Sequence, residues 1–459
     1  GSNISLTWNS EAGARYQVER TNLDGTPWAF AGEERTGTGG AMTFREAISA
    51  SRMFYRVTEI ATAPEVRRVA TVGDSITAAS CLPFGTGTNY WTGGWAAHLR
   101  TLVNHRIVFE KSPHSGVYTF AVSSSHTHQY QVGGDLRDRW EAAMASGADT
   151  IMVVLGANDL VEPDASVDLT SANIIRLWDE AIGSGKQVIG LEILPLRADH
   201  PSAGIFPPRQ TACNDILRMA AAERGMLFIR CASVLDEDGD GFAEGKYMED
   251  TVHPGILGGM KLSKEIASRL EARLNEAPVP LIPPPGDPAW LMTTAFPSGT
   301  PGPNRQASGW TIQPAGSASF VPGLVERTDG IPGHWQELEI SGMTDAGCLK
   351  PAPSDFIQLY TSNFAPALAP GDRLRMVAEI EMDQPFWNVW AEMHISGMRS
   401  GDHHHNGAMG GLSEKPDAYK GMLLTEPWEY TGGNVSLAML KICGNGRIRI
   451  GRLGIFKVP

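Results

Sequence analysis

Between residues 65 and 276 short apolar runs alternate with amphipathic stretches, and no other feature of the chain narrows its fold as far. RRVATVG, RIVFE, TIMVVLG, KQVIGLEIL and MLFIR read as buried strands. Between them GWAAHLRTLV, DLRDRWEAAMA, SANIIRLWDEAI, NDILRMAAAER and KLSKEIASRLEARL carry apolar residues at helical spacing. Strands separated by helices pair in parallel, because a parallel pair needs a crossover long enough to return to the starting edge. The expectation is an α/β fold with a parallel sheet covered by helices on both faces, whose ligands bind at the carboxyl ends of the strands.

A chain of 459 residues is too long for one core and divides into several. Residues 1–63 read as short strands, ISLTW, YQVER and FYRVTEI, which is the pattern of a small fibronectin-like β-module. Residues 64–276 hold the α/β domain. The prolines of APVPLIPPPGDPAW make residues 277–291 an extended, semi-rigid linker. In residues 292–459 helical periodicity vanishes, and HWQELEISG, RLRMVAEIEM, WNVWAEMHIS and GRIRIGRLGIFKV alternate with turns, as in a β-sandwich or jelly roll. Among its aromatics Trp335, Trp387, Trp390, Trp428 and Tyr430, an exposed subset would stack on sugar rings and tether the catalytic domain to a polymer.

The balance of 38 basic against 51 acidic residues, a formal charge of -13, argues against nucleic acid or an anionic membrane surface as partner. No apolar run approaches the roughly 20 residues that span a bilayer. The opening GSNISLTW has no charged-then-apolar signal pattern. Gly1-Ser2 reads as a cloning remnant, and the expected location is secreted or periplasmic, the signal segment being absent from this sequence. Cys348 and Cys443 can pair. Cys81, Cys213 and Cys231 read as small buried hydrophobes, and no cysteine spacing matches a metal site.

The strand ends carry the chemistry. The first run breaks into Gly73-Asp74-Ser75-Ile76-Thr77, TIMVVLG leads into Gly156-Ala157-Asn158-Asp159, and Asp250-Thr251-Val252-His253-Pro254 precedes the last helix. Any one of these reads as a turn held by local hydrogen bonds, and Asp74 and Asp159 fit that reading. Three together, at the crevice end of a parallel sheet, point to a site.

These blocks, GDSIT, GAND and DTVHP in that order, resemble the SGNH, or GDSL, family of hydrolases over roughly residues 67 to 276. The resemblance implies a three-layer α/β/α fold and an acyl-ester hydrolase with Ser75 as nucleophile, His253 as general base and Asp250 as its orienting carboxylate. It also implies an oxyanion hole of the Ser75 backbone N–H, Asn158 and a glycine N–H after the second strand. FAVSSSHTHQ puts Ser124 where that glycine is expected, with Gly133 or Gly134 as the alternatives. No metal or organic cofactor is implied.

The chemistry demands these residue types independently. A serine hydroxyl attacks a carbonyl only when a base removes its proton, and neutral imidazole does so near pH 7. A carboxylate fixes the imidazole tautomer and stabilises the imidazolium that forms. A DxxH spacing puts both on one loop. The expected substrate is an acyl, first of all acetyl, ester on a polysaccharide, or a small ester. A lipase, thioesterase or polyester hydrolase, or a catalytically idle adhesion protein, are the rivals.

Other features carry less. GSGK at 183–186 lacks the glycine spacing of a phosphate loop and reads as a helix end. No GxSxG occurs, which argues against the α/β-hydrolase family. Asp236, Asp238, Asp240, Gly241 and Glu244 imitate a calcium loop, but Tyr247 stands where a bidentate Glu is needed. His126 and His128 suit the surface or a substrate contact, and His403, His404 and His405 fall in a Gly-rich loop.

Overall fold

The computed structural model describes residues 3–10, 15–21, 29–31, 35–36, 38–47, 53–60, 68–80, 94–114, 118–274, 282–348, 354–361, 368–383, 388–396, 403–405, 419–425, 427–430 and 434–458. Cys81, Trp387 and part of the proline-rich linker lie outside them.

The central strands are β1 (Arg68–Gly73), β2 (Val108–Phe109), β3 (Thr150–Val154), β4 (Gln187–Leu191) and β5 (Leu227–Ile229). They form one parallel sheet in the order β5-β4-β3-β1-β2. β3 is buried along its whole length, which is why its sequence is apolar from Ile151 onward and does not alternate. The helices are α1 (Ser75–Ser80), α2 (Trp95–Leu102), α3 (Arg137–Ala145), α4 (Ala157–Val161), α5 (Val167–Gly183), α6 (Phe206–Glu223) and α7 (Ile256–Leu270). Trp95, Trp140 and Trp178 are fully buried in the core they share with the sheet.

The chain runs outward from β1 to β2 and then crosses back to β3 on the other side of β1. The order therefore reverses between β1 and β3, and the crevice of a doubly wound sheet opens at their carboxyl ends. Gly73 closes β1 there, where a Cβ would come within 2.2 Å of the Val154 carbonyl, so a larger residue would force the two strand ends apart.

The flanking regions are β-rich. Near the amino end Asn3–Asn9 pairs with Ala41–Ala47, and Arg15–Thr21 pairs with Phe54–Ile60, all antiparallel. Beyond residue 300 lie a seven-stranded and a five-stranded antiparallel sheet. Leu338, Met376, Ile448 and Ile450 from the first and Ile357, Leu359, Leu440 and Ile442 from the second belong to one buried core.

Three expectations need revision. Trp335 and Tyr430 are buried, so neither is free to stack on a sugar; the Arg327 guanidinium lies 4.1 Å from the Trp335 ring centre. His403–His405 is not loop but a short strand paired with Glu392–His394. Cys348 and Cys443 are neighbouring free thiols, their Sγ atoms 3.8 and 3.2 Å from the Asp355 carbonyl oxygen, and not a disulfide.

Candidate active site

Ser75 opens α1 directly beyond β1, half-buried. The residue before it makes the turn. Asp74 Oδ1 accepts the Ile76 N–H at 3.0 Å, and its carbonyl accepts from the Thr77 and Ala78 N–H groups. Asp74 is buried, and that burial pushes its carboxyl up to about 7.

His253 and Asp250 reach Ser75 from the loop before α7. His253 Nε2 lies 2.8 Å from Ser75 Oγ, and His253 Nδ1 lies 2.7 Å from Asp250 Oδ2. The other carboxylate oxygen, Oδ1, accepts the backbone N–H groups of Val252 and His253, each at 2.7 Å. Burial alone would raise the Asp250 carboxyl. The bonds from His253 and Val252 outweigh it and hold Asp250 below the usual aspartate range. An ionised Asp250 keeps the proton on Nδ1, which leaves Nε2 free to accept from the serine hydroxyl. Glu249 N–H to the His253 carbonyl, 2.8 Å, and Arg197 N–H to the Thr251 carbonyl, 3.0 Å, brace the loop.

The third contribution comes from the β2–α3 connection. Segment 118–122 runs beside β1, with Phe120 N–H on the Thr71 carbonyl at 2.9 Å and Val122 N–H on the Gly73 carbonyl at 3.0 Å. A turn follows, and Ser124 takes φ 61, the left-handed region that favours glycine. The Asn158 amide, at the start of α4, donates to the Ser125 carbonyl at 2.9 Å. Asn158 and the Ser124 turn are thus bonded neighbours. Gly134 belongs elsewhere: its N–H is committed to the Gln131 carbonyl at 2.9 Å, and a Cβ there would meet the Gln129 carbonyl at 2.2 Å. Gly133, at φ 86, sits in the same turn.

Two supports of this arrangement were not legible in the sequence. Tyr130 Oη and Ser125 Oγ both donate to the Gly73 carbonyl, at 2.8 and 3.1 Å, tying the turn to the end of β1. The Asp159 carboxylate accepts from Thr127 N–H, at 3.1 and 3.0 Å, and from Thr127 Oγ1 at 2.6 Å. Burial raises the Asp159 carboxyl despite those bonds. Only the Asp of GAND signalled its position, and nothing in the sequence pointed to Thr127 as its partner.

The remaining candidates fall outside this cluster. His126 Nε2 is 3.9 Å from Glu162 Oε1, and the His126 and His128 rings are 5.7 Å apart. GSGK ends α5, with Gly185 N–H on the Ile182 carbonyl. Asp236, Asp238 and Glu244 bring oxygens within 4.8 Å of one another, but Asp240 turns its carboxylate onto the Phe242 N–H at 2.8 Å. Tyr247 is buried with its hydroxyl on Glu237, so the position that would complete a calcium loop faces the core.

No curated protein matches the sequence. Among solved structures, Axe2, an acetylxylan esterase from Geobacillus stearothermophilus, is 19% identical, covering 46% of this chain and 96% of its own, with TM-score 0.34. A GDSL-like lipase from Bacteroides thetaiotaomicron is also 19% identical, covering 45% and 89%, with TM-score 0.34. The family described as GDSL-like Lipase/Acylhydrolase matches residues 71–258, the stretch that carries the Ser75 turn, the Asn158 turn and the Asp250–His253 loop. The central domain of this chain is a member of that family.

Proposed function

We propose that this chain is a serine esterase that removes acyl groups, first of all acetyl, from a polysaccharide. The observation that carries the mechanism is the hydrogen-bonded chain from Ser75 Oγ through His253 to Asp250, at 2.8 and 2.7 Å. Ser75 attacks the ester carbonyl as His253 Nε2 takes its proton, and the alcohol leaves with that proton. Water activated by the same nitrogen then releases the acid. The Ser75 and Ser124 backbone N–H groups and the second N–H of the Asn158 amide are the proposed oxyanion donors. The domain limits proposed are 1–63, 64–276 and 292–459, the last a β-sandwich joined through 277–291.

The polysaccharide reading rests on the β-rich sheets that flank the catalytic domain on both sides. The test compares p-nitrophenyl esters of increasing acyl length with acetylated polysaccharides, following acetate release. A strong preference for long acyl chains overturns the carbohydrate reading. In the same assays Ser75→Ala should cut turnover by roughly 10⁴-fold or more with the fold intact, and substantial residual rate would remove Ser75 as nucleophile.

A further inference from the structure

The α2–β2 corner of the catalytic domain meets the edge of the seven-stranded sheet. Tyr419–Leu424 is the terminal strand in the order of that sheet, hydrogen-bonded along one side to Arg373–Met382. An open strand edge carries carbonyls that need donors. Met422 and Leu424, two apart and so offering their carbonyls on the same side, find them in the other domain: His105 Nε2 lies 2.9 Å from the Met422 oxygen, and Arg100 Nη2 is 3.3 Å from that of Leu424. Both side chains are buried. The contact is apolar as well. Met260 of α7 belongs to the core of the C-terminal sheets, and Leu102 of α2 packs against it.

The corner is also strained. Asn104 and His105 are consecutive residues with φ 52 and 57. For histidine that conformation persists only where its surroundings over-determine it, and the bond to Met422 is one such constraint. Burial, then Arg100, holds His105 well below the usual histidine range, so its Nε2–H is a neutral donor across the interface.

From this corner the chain enters β2 and then segment 118–122, which lies along β1 and leads into the Ser124 turn. The Tyr118 hydroxyl, at the head of that segment, lies 3.5 Å from the Pro427 carbonyl of the C-terminal module.

We propose that the C-terminal module is a fixed wall of the catalytic unit and not a mobile tether: its edge strand is the partner of α2, and the contact holds segment 118–124 against β1. The docking stands apart from the esterase reading, while its effect on turnover rests on that reading.

A protease site placed in segment 275–281 of the full chain tests it. After cleavage the two fragments should still co-elute at the size of the intact chain and hydrolyse p-nitrophenyl acetate at an unchanged rate. Fragments that separate while the amino-terminal one keeps the full rate overturn the proposal. In the uncut chain, the double variant Arg100→Ala/His105→Ala should lower kcat on that small ester about tenfold with KM within twofold. An unchanged kcat in a variant whose cleaved fragments no longer co-elute overturns the positioning role. If the intact wild-type chain cleaves no ester, the esterase reading fails, and co-elution still decides the docking.

Discussion

Asp74 and Asp250 stand close to Ser75 and His253 in sequence, and their environments push in opposite directions. Asp250 is held ionised by bonds from its own loop, whereas burial lifts Asp74 to about 7. A carboxyl raised in the folded state stabilises it most below the unfolded value of about 3.9, and that contribution is lost as pH rises through the folded value. Asp74 therefore makes stability fall between about pH 4 and pH 7, by at most about 1.4 kcal/mol per pH unit. Asp250, lowered, has the reverse effect, lost only as pH drops below the ordinary aspartate range. Asp74→Asn keeps the acceptor for the Ile76 N–H and should flatten the decline in Tm between pH 4 and 7; an unaltered slope removes Asp74 as its source. Asn158→Ala should cost on the order of 10²- to 10³-fold in kcat, measured on a soluble ester, because it deletes a proposed oxyanion donor. These residues were legible because each block pairs a reactive side chain with a turn. Tyr130 was not, since a buried tyrosine hydroxyl looks like any other aromatic until its acceptor, the Gly73 carbonyl, is known.

Among the elements, the turn at 122–125 departs most from local preference. Ser124 at φ 61 pays the steric penalty of a Cβ in the left-handed region, about 1–2 kcal/mol. Ser124→Gly should keep esterase activity and raise stability in urea by roughly 1 kcal/mol, whereas Ser124→Val should lower both. A loss of activity in the glycine variant would mean that the hydroxyl, and not the backbone, serves the site. At the same scale, two helices extend beyond the amphipathic stretches that mark them in the sequence. α6 begins at Phe206, eight residues before NDILRMAAAER, and carries prolines in its first turn. Those prolines look like breakers, yet the first N–H groups of a helix have no internal partner to lose. α7 likewise begins at Ile256, ahead of KLSKEIASRLEARL, and passes through Gly258, where a Cβ would meet the Tyr247 carbonyl at 2.2 Å. Glycine is there for close packing, and in sequence it reads as an interruption.

For the whole molecule the alternation of strand and helix was the readable signal, because the buried parallel strands are mostly apolar along their middles. The seating of the C-terminal sheets on α2 was not, since Arg100 and His105 look like ordinary polar residues of an amphipathic helix and its turn. The chain's charge of -13 has its own consequence. It disfavours the approach of polyanions, and salt screens that repulsion. Raising salt from 0.05 to about 0.5 M should increase kcat/KM on an acetylated uronate polymer and leave an acetylated neutral glycan nearly unchanged. An equal response of both would show that net charge plays no part in selection.

Ser75 and His253 touch although 178 residues separate them. During synthesis, at about 5–20 residues per second, the serine leaves the ribosome roughly 10 to 35 s before its histidine. On the proposed mechanism the growing chain holds, throughout that interval, a serine without its base and cleaves no ester. The distance along the chain then works as a delay between making the serine and arming it.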